Sequence, residues 1–333
     1  MSDVLRSGEE VSVVVCAFSE GRWEELCAAL TSLERQSRVP EDVVLVIDHN
    51  EALYERSLAA FERVTVVRNA EQQGLSGARN TGFRAARGSI VLFLDDDATA
   101  ERHWVENMMA PLNDPDVVGV GGFVLPAWAG GAAPGWFPEE FHWVVGCSYR
   151  GLPPHRSQIR NPIGAAMAFR TDSLKACGGF TSELGRIGDK PVGCEETDLA
   201  LRITAAQPQS RVVLARDAVV HHSVPRQRQT ADYFFRRCYW EGVSKAVLAR
   251  RLGTGASTGL SDERNHALRT LPQGMALAVV DAWTRRSPSR VLRAASIALG
   301  LAVTAGGYAM GRLQGTGSGG RVRGEVRGEA AHA

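Results

Sequence analysis

Residues 90–98 read Ile-Val-Leu-Phe-Leu-Asp-Asp-Asp-Ala, an apolar run that passes straight into three carboxylates. An apolar run this short, set off by Gly88, suits a strand buried on both faces of a parallel sheet. The carboxyl end of such a strand is where open α/β sheets bind their ligands. Adjacent carboxylates repel one another and lose hydration when crowded. A divalent cation relieves both penalties. Asp95 and Asp97 are two apart, so they project to the same side of an extended chain. One then suits a nucleotide and the other a metal. The plainer alternative is a solvated acidic turn ahead of a helix.

The residues before this strand repeat one pattern. Val11 to Ala17 is a β-branched run that ends at Phe18-Ser19-Glu20. Trp23, Leu26, Cys27, Leu30 and Leu33 give helical spacing over Trp23 to Gln36. Val43 to Ile47 predicts a second strand, with Asp48-His49-Asn50 at its end, and Glu51 to Phe61 a short helix. Val64 to Val67 predicts a third strand. Gly74-Leu75-Ser76-Gly77-Ala78-Arg79-Asn80 opens another helix, with Ser76 as its expected N-cap. This alternation predicts βαβ units and a parallel sheet whose strand-end loops share one edge. Asp48 at that edge could accept from a base N–H. Arg79, near a helix start, could meet a phosphate oxygen. Neither GxGxxG nor GxxxxGK[ST] occurs, so the common dinucleotide and NTPase fingerprints are absent.

After Val117 the pattern changes. Val117 to Leu125 predicts a glycine-interrupted strand. Pro126 to Pro162 is rich in Pro, Gly and Trp, too long for a simple connection, and reads as a lid or binding loop. Its tryptophans, Trp136 among them, suit a sugar, a lipid surface or plain packing. Ile163 to Phe169 is strand-like again. A loop with Gly185, Gly188 and Gly193 leads to Glu195-Glu196-Thr197-Asp198, an acidic first turn on an amphipathic helix. Two adjacent glutamates exceed what capping needs, so one is a candidate general base. Val212 to Leu214 and Ala218 to Val220 read as two short strands that end at His221-His222, where a histidine could ligate metal.

The C-terminal part differs in kind. Tyr233 to Leu252 predicts a helix with aromatics and with Arg236, Arg237, Lys245, Arg250 and Arg251, suited to diphosphate or anionic lipid. Ala294 to Gly311 carries no charge and sits at the lower length limit for a membrane span. Arg285, Arg286, Arg290 and Arg293 precede it, as at a cytoplasmic flank. A helical hairpin packed on the domain is the rival reading. The chain is 333 residues long with a net charge of +1, which gives no electrostatic case for nucleic acid. Its six cysteines form no CxxC pair and read as reduced thiols in a cytosolic setting. The polar start fits no signal peptide.

In order and spacing these pieces resemble the family 2 glycosyltransferases of the GT-A fold, over about residues 11–225. The resemblance rests on Val11–Ala17, Asp48, Gly74–Asn80, Phe93–Ala98, Met167-Ala168-Phe169-Arg170 with Gly178-Gly179-Phe180, and Gly193–Leu199. It implies an α/β fold with a Rossmann-like, mostly parallel central sheet flanked by helices. The expected organisation is a flexible 1–10, a transferase domain over 11–225 (nucleotide-binding half 11–125, acceptor half 126–225), a helical membrane-associated extension over 226–313, and a disordered tail over 314–333.

The resemblance also implies inverting sugar transfer from a nucleotide-diphosphate donor, UDP-linked by family habit, with Mg²⁺ or Mn²⁺. Ala17, Phe18, Glu20, Asp48, Gly74, Arg79, Asp95 and Asp96 would then bind the nucleotide. Asp95 and Asp97, with His221 or His222, would hold the metal. The family's Glu-Asp catalytic pair falls on Glu195-Glu196, which leaves the base among Glu196, Glu195 and Asp198. Trp136, Gly164, Ala165 and Met167 would face the acceptor, with Ala166 where many relatives have asparagine. The expected acceptor is a lipid-linked or other glycan hydroxyl at the inner face of the cell membrane. Two rivals are a nucleotidyltransferase, which would more naturally carry a lysine-bearing phosphate loop, and an inactive sugar-binding module.

Overall fold

The computed structural model describes residues 10–181, 193–252, 266–285 and 288–314. Gly185, Gly188, residues 1–9 and the tail from 315 lie outside these. The N-terminal half alternates as the spacing predicts: β1 (Val11–Ala17), α1 (Trp23–Glu34), β2 (Asp42–Ile47), α2 (Glu51–Ala60), β3 (Thr65–Arg68), α3 (Leu75–Ala85) and β4 (Ile90–Asp95). β5 (Ala98–Ala100), α4 (Trp104–Met109) and β6 (Val117–Trp128) follow. Then come β7 (Gln158–Ile159), β8 (Ala166–Arg170), α5 (Thr171–Ala176), α6 (Glu195–Ala206) and β9 (Arg211–Val224). The C-terminal part is helical: α7 (Ala231–Leu252), a π-helical turn (His266–Thr270), α8 (Leu271–Arg285) and α9 (Pro288–Gln314).

One sheet runs β3-β2-β1-β4-β8-β6-β9-β5, with β7 paired to β9. β3, β2, β1 and β4 are mutually parallel, so their carboxyl ends share one edge. β8 then enters antiparallel to both β4 and β6. The sheet is buried on both faces because strand residues alternate between two clusters. Val13, Val15, Leu92 and Leu94 meet α1 and α4 on one face. Val14, Val91 and Phe93 meet α3 and α6 on the other.

Three differences from the sequence reading have local causes. The N-cap of α3 is Gly74, not Ser76, which lies buried inside the helix. Gly74 has φ 132°, a conformation open to glycine, and its N–H donates to Asp48 Oδ2 at 2.9 Å. The two short strands are one, β9, whose register against β6 jumps between Gly121 and Phe123. That irregularity pushes Arg216 and Asp217 outward and mimics a break. Finally, α9 runs beyond Ala294–Gly311 at both ends and packs one side against α7, as the rival reading of a packed hairpin has it. Ile297, Gly300, Thr304, Gly307 and Gly311, spaced three and four apart, face inward. A Cβ on Gly307 would lie 2.1 Å from Tyr239 O, and one on Gly242 of α7 at 2.1 Å from Thr304 O. Contacts pair 239 with 307 and 243 with 311, so α7 and α9 run parallel in close contact.

Candidate active site

The edge where β1, β2 and β4 end opens on a cavity of about 1020 Å³. Asp95 closes β4, and Asp96-Asp97 turn the chain into β5. β5 pairs with β9 so that Ala98 faces His222, and Ser223 N–H donates to Asp97 O at 2.8 Å. This pairing brings a histidine from 125 residues downstream against the carboxylates. His222 Nε2 lies 3.1 Å from Asp97 Oδ1. One ligand atom from each of Asp95, Asp97 and His222 fits within 4.8 Å of the others. Its neighbour His221 points to the opposite side of the strand, against Glu101 Oε1 at 2.9 Å. Of the two histidines, only His222 is within reach of a metal shared with Asp97.

Charge balances inside this cluster. Arg22 Nη1 reaches Asp96 Oδ1 at 2.9 Å and Asp97 Oδ2 at 3.3 Å, and Arg228 Nη2 stands 3.7 Å from Asp97 Oδ2. Burial opposes ionisation of Asp97, but His222, Arg22 and Arg228 outweigh it and hold its carboxyl well below the usual range. Burial likewise opposes a charge on His222, yet Asp97 beside it pushes the imidazole up to about 10. Asp96 is pushed up to about 7, by burial and then by Asp97, and its buried Oδ2 has no hydrogen-bond partner among the described residues. The cluster is thus built around a positive charge next to Asp97. Two carboxylates and one imidazole suit Mg²⁺ or Mn²⁺, so the donor set fits the implied metal.

Arg79 is not a surface arginine. It is only 2% exposed and bridges three groups. Nη2 donates to Asp95 Oδ1 at 3.3 Å and to Gly164 O at 3.1 Å, while Nη1 donates to Glu195 Oε1 at 3.1 Å. A planar guanidinium serves such a divergent set, where an ammonium could not hold the same geometry. It couples the metal-side carboxylates to the start of α6. Glu195 is committed to Arg79. Asp198 is committed to structure, because its Oδ2 accepts from Thr181 at 2.8 Å and Arg202 at 2.8 Å and it does not line the cavity. Glu196 does line the cavity, half-buried. Burial first, and Glu195 beside it second, push its carboxyl up to about 8.

The remaining expectations divide. Ala17, Phe18, Asp48, Gly74, Gly164 and Ala165 line the cavity. Asp48 accepts from Asn69 Nδ2 at 2.7 Å as well as from Gly74 N–H, so it orders the loop before α3. Glu20 is exposed in a 3-10 turn and does not line the cavity. Met167 is fully buried in β8, paired with Phe93 and Gly121. Trp136 packs edge-on against Phe234 and beside Phe137, while Trp143 from the same loop faces the cavity. Nothing in the sequence marks Arg22 and Arg228, since neither falls in a periodic or motif position.

The family model for glycosyl transferase family 2 matches residues 12–178. A glucosyl-dolichyl phosphate glucuronosyltransferase of Haloferax volcanii is 37% identical over 243 residues, covering 72% of this chain and 77% of that protein. Among solved structures, a Pyrobaculum calidifontis mannosyltransferase in complex with GDP-Man and Mn²⁺ aligns with TM-score 0.55 at 20% identity, over 92% of this chain and 87% of that one. GalNAc-T7 with UDP, GalNAc and Mn²⁺ aligns with TM-score 0.51 at 15% identity, over 84% of this chain and 58% of that one. These two likenesses speak for the fold. With the sequence matches added, the chain belongs to glycosyl transferase family 2 and is a glycosyltransferase of GT-A fold.

Proposed function

We propose that the protein moves a sugar, with inversion, from a nucleoside-diphosphate sugar to a hydroxyl of a lipid-linked glycan at a membrane surface. The observation that carries this reading is a single cavity. It holds the Asp95, Asp97 and His222 cluster, the carboxylate of Glu196, and the inner faces of α7 and α9.

Asp48 and the Gly74 loop would receive the base, for which uridine is the first candidate, with the exposed ring of Phe18 at the rim. Arg22 and Arg228 flank the cluster on the side where a diphosphate would lie. A divalent cation held by Asp95, Asp97 and His222 would neutralise the departing nucleoside diphosphate. Glu196 takes the proton of the acceptor hydroxyl as its oxygen bonds to the anomeric carbon. The bond from that carbon to the diphosphate oxygen breaks on the opposite face. Arg79 ties Glu195 to Asp95 through one guanidinium and so holds the start of α6 in register with the metal-side carboxylates.

The lipid-linked acceptor rests on the relative's name and on α9. Val291–Leu313 is long and apolar enough to cross a membrane. Val291, Leu292, Leu299, Met310 and Leu313 are exposed on its outer side, a face that suits lipid better than water. We place this face on the cytoplasmic leaflet, where nucleotide sugars are available.

Titration with UDP, GDP and dTDP, each with Mn²⁺ and with EDTA, tests the donor reading. One nucleotide should bind only with metal, and Asp97→Ala should abolish that binding. Equal affinity with and without metal would contradict the metal assignment. No binding of any nucleotide by folded protein would contradict the transferase mechanism.

A further inference from the structure

His222 is held from both sides of its ring. Nε2 faces Asp97 Oδ1 at 3.1 Å and is the nitrogen that can ligate a metal shared with Asp95 and Asp97. Nδ1 faces the other way, toward Cys147 Sγ at 3.9 Å. Both residues are buried, His222 at 4% exposure and Cys147 at 0%. An imidazole that gives its Nε2 lone pair to a cation carries its proton on Nδ1, and a buried N–H needs an acceptor. The sulfur of Cys147 stands where that acceptor is needed. Its own S–H donates onward to Val145 O at 3.7 Å, which leaves a sulfur lone pair for the ring.

The backbone fixes the sulfur in place. A 3-10 helix over Glu139–Val145 ends at Gly146, whose φ of 77° is open to glycine. Gly146 N–H donates to Trp143 O at 3.0 Å, and Cys147 N–H to His142 O at 3.1 Å. Ser148 then fastens the turn to β6 twice. Its N–H donates to Val124 O at 2.8 Å, and its Oγ accepts from Val124 N–H at 2.9 Å. Two residues along β6, Pro126 pairs with His222 of β9. The turn and the histidine are therefore anchored to the same pair of strands. A Cβ on Gly146 would lie 3.6 Å from His222 Cε1, so the turn also covers the edge of the ring.

We propose that Cys147 is a positioning residue for the metal: its sulfur accepts from His222 Nδ1–H and so fixes the tautomer whose Nε2 lone pair points to the cation beside Asp97. The inference goes beyond the transferase reading but rests on the metal cluster within it. The sulfur is not itself a ligand, because the ring stands between it and Asp97.

The test is Mn²⁺ binding to the full chain, read from the EPR signal of the ion left free. Cys147→Ala and Cys147→Val remove the acceptor and should raise the Kd for Mn²⁺ about 10–100-fold, the usual effect of losing a group that orients a metal's histidine. Cys147→Ser restores an acceptor and should stay within a few-fold of the parent. In a His222→Ala background all three should leave the Kd where His222→Ala alone puts it, because a residue that acts through the ring has nothing left to act on. The midpoint of denaturant unfolding shows which variants fold. Serine and valine keep the site filled, so the comparison survives if the alanine variant does not fold. An unchanged Kd without the acceptor, a serine variant as weak as the valine one, or a further loss in the His222→Ala background overturns the proposal. The two readings fail separately. If His222→Ala binds Mn²⁺ as the parent does, the metal cluster itself is wrong and the role of Cys147 falls with it. If His222→Ala binds weakly while Cys147→Val binds as the parent does, only the role of Cys147 is wrong.

Discussion

At the scale of single residues, the proposed base is Glu196. A general base works only when deprotonated, and burial beside Glu195 raises its pKa to about 8. An ordinary glutamate, with pKa near ~4.3, would be fully ionised well below neutrality. We therefore expect kcat/KM to keep rising between pH 6 and about 8, where a plain glutamate base would already have levelled off. A flat profile across that interval would count against Glu196. Glu196→Gln should lower turnover by about 10²–10⁴-fold and remove the rising limb together with the activity. Near-normal turnover would send the search for the base elsewhere. Much of this cluster was legible in the sequence. The apolar run of β4 announces that Asp95 and Asp97 stand at a sheet edge, and the doubled glutamate announces α6. The choice between His221 and His222 was not legible. Adjacent strand residues point to opposite faces, so the answer depends on which face of β9 meets Asp97, and a pairing across 125 residues sets that. Arg22 and Arg228 were invisible for a related reason. Each reaches Asp97 from an irregular turn, where no period marks a side chain's direction.

At the scale of elements, α3 positions Arg79, and its packing sets that position to within a fraction of an ångström. A Cβ on Gly82, three residues after Arg79, would lie 2.3 Å from Val14 Cγ1 and 3.1 Å from Val46 Cγ2. Gly82→Ala must therefore lift the helix off β1 and β2. Overpacking of this kind costs about 1–3 kcal/mol, more than alanine's better helix propensity returns. The midpoint of denaturant unfolding should fall accordingly, and the lifted Arg79 should weaken nucleotide binding as well. A variant as stable as the parent would mean that α3 is loosely seated. The elements themselves were unevenly readable. Periods of two and of about four identify β1 to β4 and α1 to α3. β5 and β7, three and two residues long, are too short to show a period and exist only because β9 offers them a partner. The outward Arg216 and Asp217 made β9 look like two strands. Residues 271–285 lie within the helical extension expected over 226–313 and form α8, though no cap or charge pattern marks where that helix starts.

At the scale of the whole molecule, the α/β architecture follows from the alternating N-terminal half, but the site does not belong to that half. Glu196, His222 and Arg228 all lie beyond residue 178, where the family match ends. The apolar segment near the C-terminus was legible as exceptional, though not as an inner seam and an outer face. Its glycines read alike by composition. Only contact with α7 distinguishes Gly307, where an added Cβ would collide with Tyr239 O, from Gly306, where it would meet no atom of the described residues within 4 Å. The order of the sheet has a practical consequence for anyone trimming the chain. β6 is 12 residues long, and β8 and β9 flank it. A fragment that stops after α5 removes β9 and leaves one whole side of β6 with unsatisfied amides, on an apolar, glycine-rich strand that carries no charge to deter a second copy. Such an open edge is a template for strand addition between molecules. Residues 11–178 produced alone should collect as insoluble aggregate, whereas 11–225, which keeps β9 in place, should give the higher soluble yield.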